Sequence, residues 1–409
     1  MNILLISDIP PGTEYPAGLF LYEACKALAP VSISGVFITH PKFTASLSPA
    51  DLFSGRHLVL SRPREQLPVC ERSALLKKLS YGMLMKLNEP RIERLVLETV
   101  EFARKTSPDL LWGVMAGQTQ LRVIPRVAEE LGIDLVTLVL DPPEYELQAR
   151  GADSASRRTL TGLFARTLKR SNCCVTVSLP MAEHLARQYG VCTEVCYPGL
   201  PESLALPPRS EFSQSGRLII GICGRIYALD AWRVLLESLA ACQWNIAGRT
   251  VEIHVMSRHG IPNDPGEPRV RNLGWSDQAE TVRRLSDCDI LYCPYWLDPR
   301  METVTRFSFP SKLTTYLASG RPVLFHGPAF SSVWEFLNAS GRCGLCTDST
   351  EPAGLAAALE ELAVREDLRM RLATAGSNLF RARLTDGQFR KGIRKAFGIP
   401  GGDEDRADP

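Results

Sequence analysis

Residues 309–324 read Phe309-Pro-Ser-Lys-Leu-Thr-Thr-Tyr-Leu-Ala-Ser-Gly-Arg-Pro-Val-Leu324. Pro310 suits the approach to a helix start, Ser311 suits an N-cap, and Gly320 stops the helix before the strand Pro322-Val-Leu. Free N–H groups and the dipole at such a start attract phosphate. Lys312, in the first turn, opposes that dipole unless an anion is shared between them. The local conflict points to a bound diphosphate.

Working outward, the same change from amphipathic helix to short apolar strand recurs along the chain. The N-terminal half predicts strands at 2–7, 31–38, 109–114, 134–140 and 173–178, with helices near 18–29, across 73–106, and at 119–131, 155–171 and 179–190. Runs such as ILLI, LVTLVL and CCVTVS are continuous rather than alternating, as in strands covered on both faces of a parallel sheet. Residues 197–216 hold four prolines and little periodicity, which reads as a linker. A second alternation begins at the strand 217–222 and continues through the strands 250–256, 289–293, 322–325 and 342–346.

The expected organisation is α/β: a first doubly wound parallel-sheet domain over 1–200, a linker over 201–216, a second such domain over 217–385, and a C-terminal helix and acidic tail over 386–409. Two such domains are expected to face a central cleft, with ligands at the carboxyl ends of the strands.

Composition narrows the function. The chain has 409 residues, 22% charged and 45% hydrophobic, enough for two cores and too apolar for extensive disorder. Lys+Arg 47 against Asp+Glu 45 leaves +2, without the basic excess that a nucleic-acid partner requires. Twelve cysteines lie mostly in or beside apolar runs, and no signal peptide precedes MNILLIS, so reduced thiols in a cytoplasmic protein are expected. Cys343-Gly-Leu-Cys346 has no second pair to complete a zinc site. No histidine pair has metal-ligand spacing, and no apolar run reaches the ~18–20 residues of a membrane span.

Three further places invite chemistry. Gly221-Ile-Cys-Gly224-Arg225 closes the first strand of the second domain. A guanidinium at a strand end suits a phosphate through paired hydrogen bonds, or pairs with a local carboxylate such as Asp230. In the first domain, Pro10-Pro-Gly12-Thr-Glu-Tyr-Pro-Ala-Gly18 joins the first strand to the first helix. Asp141 follows Leu135-Val-Thr-Leu-Val-Leu140 at a strand's carboxyl end, where a carboxylate serves proton transfer or else caps a turn before proline. Finally, Arg62, Arg64, Arg72, Lys77, Lys78 and Lys86 surround Leu75, Leu76, Leu79, Met83, Leu84 and Leu87. Residues 62–87 thus read either as a helix lying on an anionic membrane surface or, preferably, as one whose stripe packs on the sheet.

Taken in order, several motifs make the chain resemble a GT-B glycosyltransferase of the broad family 4 type over nearly its whole length. They are Val177-Ser178, Met181-Ala-Glu-His-Leu185, Tyr197-Pro-Gly199, Gly224-Arg225, Asn272-Leu-Gly274-Trp275, Leu285-Ser-Asp-Cys-Asp289-Ile-Leu-Tyr-Cys-Pro294 and the 309–324 stretch. The resemblance implies two Rossmann-like domains, with a nucleotide-sugar donor in the second and an acceptor (glycan, lipid-linked or small molecule) in the first. It implies sugar transfer to an acceptor hydroxyl with retention, without a metal or a cofactor. It assigns Gly224, Arg225, Ser311 and Lys312 to the donor diphosphate, Gly12 and Gly18 to a flexible acceptor-side loop, and makes Asp141 the first catalytic candidate. The chain departs from the pattern at Ala231-Trp232, where many members have lysine, and at Thr315, where the second of two glutamates would stand; its hydroxyl is a candidate ribose contact. An epimerase on the same fold and a nucleotide-sugar binder without turnover are the alternatives.

Overall fold

The computed structural model describes residues 1–40, 56–66, 74–262, 266–339 and 341–400; the side chains of residues 74 and 75 are left aside. Arg72, Leu75 as a packing residue and the acidic tail beyond residue 400 therefore lie outside the described residues. The chain divides into two compact units, one of Met1–Cys196 with Phe389–Pro409, the other of Tyr197–Gln388.

The first unit is built on seven parallel strands: β1 (Asn2–Ser7), β2 (Ser32–Thr39), β3 (His57–Ser61), β4 (Leu110–Val114), β5 (Asp134–Val139), β6 (Cys173–Thr176) and β7 (Thr193–Val195). Their order is β3-β2-β1-β4-β5-β6-β7, so the winding reverses between β1 and β4. Ile3, Leu4, Leu5 and Ile6 of β1 are fully enclosed, as are Val36, Phe37 and Ile38 of β2. Continuous apolar strands are what a sheet covered on both faces requires. The helix Asp386–Ala396 belongs to this unit: Phe389 meets Phe20 edge-on at 5.0 Å, and Phe397, just past its end, meets Trp112 at 5.2 Å. Burying each ring contributes about 1.5–3 kcal/mol.

The second unit carries β8 (Arg217–Cys223), β9 (Asn245–Ile246), β10 (Arg249–Met256), β11 (Val270–Asn272), β12 (Ile290–Pro294), β13 (Val323–His326) and β14 (Leu345–Thr347). Six run parallel in the order β11-β10-β8-β12-β13-β14, and β9 adds to β10 antiparallel. Here the winding reverses between β8 and β12. The proline-rich stretch is strapped to this unit: the Leu206 N–H donates to the Ala318 carbonyl at 2.8 Å and the Arg209 N–H to that of Gly320 at 2.9 Å. Arg321 is buried and donates to the Glu211 carbonyl at 2.6 Å and the Ser213 hydroxyl at 2.8 Å, which ties the same stretch down.

Among the described residues, no helix is long and apolar enough to cross a membrane.

Candidate functional site

In each unit the polar groups gather where the winding reverses, beyond the carboxyl ends of the strands, which is where open α/β sheets hold ligands.

In the second unit, β8 ends at Cys223 and the chain turns at Gly224, whose φ of +72° is readily available only to glycine. The short helix Lys312–Ala318 supplies the facing group. Tyr316, one turn after Lys312, accepts the Cys223 N–H at 3.0 Å and donates to the Tyr292 carbonyl at 3.1 Å, pinning the helix to β8 and β12 together. Lys312 is thereby held beneath the Gly224 turn. Its Nζ donates to the Arg225 carbonyl at 2.9 Å and lies 4.7 Å from the centre of the Tyr227 ring. Burial depresses the pKa of this ammonium below its usual range, since desolvation disfavours the charged form.

Arg225 itself is exposed. Asp230, the local carboxylate that could have claimed it, instead accepts the N–H groups of Leu297 and Asp298, both at 2.7 Å. Gly224, Arg225 and Lys312 are thus brought together. Ser311 is exposed at the helix start, but its own backbone is helical (φ −55°, ψ −25°) and its hydroxyl makes no capping bond, so the N-cap expected of it is not formed. Thr315 is half-buried on the same helix.

The first unit holds a denser arrangement that the sequence reading did not assemble. Asp8 follows β1, Arg62 and Glu65 follow β3, Gly117 follows β4, and Asp141 follows β5. Glu146 and Arg150 come from the short helix Pro143–Ala149 and its C-cap. Arg62 clamps Glu65 through Nε at 3.1 Å and Nη2 at 2.8 Å, and reaches Asp8 at 3.5 Å. Arg150 approaches Glu65 at 3.0 Å and Glu146 at 3.8 Å. Glu65 also accepts the Thr119 hydroxyl at 2.7 Å, and Glu146 accepts the Gly117 N–H at 2.7 Å. A Cβ at Gly117 would fall 2.6 Å from Arg62 Nη2, so only glycine lets the guanidinium lie so close.

The carboxyls are not equivalent. Burial would raise all of them, but at Glu65 the two guanidiniums and the Thr119 bond outweigh it, and its pKa is lowered. Asp8 is raised by burial despite Arg62 and Arg150. Glu146 is pushed up to about 7, by burial first and then by the neighbouring charges of Asp8 and Asp141, against the pull of Arg150 and the Gly117 N–H. A carboxyl poised near neutrality suits proton transfer. Asp141, half-buried, is therefore one of several carboxylates in this place rather than an isolated one.

The loop that joins β1 to the helix Pro16–Ala27 folds back on itself, with the Gly12 N–H donating to the Gly18 carbonyl at 3.1 Å; both glycines are buried, and Gly18 lies in the first turn of that helix. In the basic segment the expected packing is overturned. Along the helix Ala74–Leu87, Leu76, Leu79, Met83 and Leu87 are 51%, 62%, 49% and 65% exposed. The inward positions go to Ser80 and Tyr81 instead. Nor do the basic residues form one face: Arg62 serves the carboxyl cluster and Lys77 donates to the Ala149 carbonyl at 3.0 Å.

No family model matches the chain, and no curated protein matches it. Among solved structures, HepE of Anabaena in complex with UDP and glucose is similar over 97% of this chain and 99% of that one, with a TM-score of 0.66 and 16% identity. Sucrose-phosphate synthase from Thermosynechococcus elongatus is similar over 97% and 98%, with a TM-score of 0.64 and 14% identity. An α,α-trehalose-phosphate synthase (UDP-forming) from Burkholderia vietnamiensis is similar over 97% of each chain, with a TM-score of 0.60 and 12% identity. With two parallel, doubly wound sheets and these likenesses across nearly its whole length, the chain has the GT-B fold that its motifs implied.

Proposed function

We propose that this protein is a glycosyltransferase that moves a sugar from a nucleotide diphosphate donor to an acceptor hydroxyl, with retention and without a metal. The observation that carries this reading is the placing of Lys312 under the Gly224-Arg225 turn, at the winding reversal of a unit whose fold neighbours include HepE bound to UDP and to UDP-glucose. As the bond from the sugar to the diphosphate breaks, negative charge grows on the leaving oxygen. Arg225 and Lys312 neutralise it, an electrostatic contribution that is strongest where water is excluded. The exposed Ser311 hydroxyl adds a hydrogen bond to the diphosphate, and Thr315 reaches the ribose. The acceptor belongs to the first unit, where Asp141 orients its hydroxyl near the Gly12–Gly18 loop.

The deciding assay incubates the full chain with UDP-, GDP- and ADP-sugars. Released nucleotide supports transfer; an isomerised sugar supports an epimerase; binding without either supports a binder without turnover. Release that persists in EDTA supports the metal-free version.

The exposed Leu76, Leu79, Met83 and Leu87, flanked by exposed Lys78 and Lys86, favour a second element of this reading. This stripe rests on the inner, anionic face of a membrane, and the protein works in the cytoplasm against it. Cosedimentation with anionic but not neutral vesicles is the test.

A further inference from the structure

We propose that Cys173 and Cys192, side by side on β6 and at the start of β7, form a thiol pair that a peroxide oxidises reversibly to a disulfide. The pair sits at the amino ends of these strands, at the opposite end from the carboxyl-end cluster of the same unit. It stands whether or not the protein transfers sugars.

Strand register brings the two sulfurs together. β6 and β7 run parallel, with Cys174 opposite Thr193, Val175 opposite Glu194 and Thr176 opposite Val195. One step back, Cys173 stands opposite Cys192, and the Cys192 carbonyl accepts the Cys174 N–H at 2.8 Å. Opposed residues of a parallel pair project to the same face. Strands about 4.8 Å apart also fall within the Cα separation of about 4.4–6.8 Å that a disulfide spans. The two thiols hydrogen-bond to one another.

The neighbouring cysteines are shut out of this pairing. Cys174 projects to the other face of the sheet, is fully enclosed, and hydrogen-bonds to Thr137. Cys196 is buried against the last helix, where a Cβ at Gly392 would come 2.9 Å from its sulfur.

The two members differ in a way that orders the reaction. Among the described residues Cys192 is the one exposed cysteine, whereas Cys173 is buried. Burial first, and then the charges of Cys192 and Cys174, push the Cys173 thiol up to about 12. Lys395, whose ammonium pairs with Glu194 at 2.6 Å, acts electrostatically on both sulfurs. Oxidation selects accessible thiols beside a cation, so the peroxide meets Cys192. Its O–O bond breaks and takes two electrons from sulfur. One oxygen stays as the sulfenic acid, and the other leaves as water with the thiol proton. Cys173 Sγ then attacks Cys192 Sγ, the S–O bond breaks, and the departing hydroxide takes the Cys173 proton as a second water.

The test treats the reduced full chain with hydrogen peroxide, alkylates the remaining thiols and digests with trypsin without reductant. The expected product joins the peptides Ser171–Arg187 and Gln188–Arg209, two hydrogens lighter than their sum, with fragment ions placing the bond at Cys173 and Cys192. Dithiothreitol should separate them. Before oxidation, Cys192 should alkylate at least tenfold faster than Cys173. The link should survive in Cys174→Ser and Cys196→Ser and vanish in Cys192→Ser. Cys173→Ser, or Cys173→Ala if serine unfolds the chain, should instead accumulate a dimedone-reactive sulfenic acid at Cys192. No link in the folded wild-type protein, a link that forms only in denaturant, or fragment ions that place it at Cys174 or Cys196 overturns the inference.

Discussion

Lys312 Nζ lies 2.9 Å from the carbonyl oxygen of Arg225, so these two cationic residues are linked through backbone rather than set apart by their like charge. The ammonium is desolvated there and its pKa is depressed by that burial. The diphosphate proposed for this turn would supply the counter-charge that burial withholds.

Arg225→Ala and Lys312→Ala should each weaken nucleoside diphosphate binding by about 10- to 100-fold, the loss of a charge-assisted hydrogen bond of about 1.5–3 kcal/mol. Binding of the uncharged nucleoside should change far less. Calorimetric titration of each variant with both ligands checks this, and equal losses would remove the phosphate role.

Tyr316→Phe should destabilise the second unit by about 1–3 kcal/mol, because the buried Cys223 N–H and Tyr292 carbonyl lose the hydroxyl that joins them. Nucleotide affinity should fall with it, since the same hydroxyl sets where Lys312 stands. Denaturant unfolding and titration read the two effects separately.

Asp141→Asn should lower turnover with little change in nucleotide affinity, because Asp141 belongs to the first unit. A variant that no longer binds donor would mean that the two half-reactions are assigned to the wrong units.

Glu146→Gln should change how stability depends on pH. In the folded protein Glu146 titrates at about 7, above its ordinary 4.5, with Arg150, Asp8, Asp141 and the Gly117 N–H facing it. A raised carboxyl favours folding fully below the unfolded value and loses that contribution as pH rises through the folded one. Relative to wild type, the glutamine variant should therefore gain stability between about pH 4.5 and 7 and hold the gain above it. Thermal melts across that range give the answer; a difference that runs the other way would mean that Glu146 is ionised when folded.

Leu79→Asp should leave the first unit folded, with Tm within a few degrees of wild type, because the side chain is 62% exposed. It should nonetheless reduce cosedimentation with anionic vesicles. Unfolding on this substitution would restore the packed-helix reading that the exposure contradicts.

The parallel sheets were legible because their strands are unbroken apolar runs, and the turn at Gly224-Arg225 and the helix with Lys312 follow from strand-end and helix-start chemistry. The cluster in the first unit was not. Its key strand, β3, is five residues at the sheet edge with one buried position, too short and too mixed to stand out. Once HLVLS is missed, Arg62 looks like part of a basic helix rather than the residue following a strand. Asp8 did carry a signal, since it directly follows ILLIS. Glu146 and Arg150, four residues apart at the end of a seven-residue helix, carry meaning only once Glu65 is brought to them from 85 residues away.

The helix Asp386–Ala396 gives the chain an order of assembly. Phe20 and Trp112 sit in the first unit's core facing rings that are synthesised after the whole of the second unit. On the ribosome, the second unit's whole sequence emerges before the first can close over these side chains. A nonsense codon between residues 200 and 389 would thus strip both rings from the first unit, and a cut near residue 197 would part that unit from the helix it packs against.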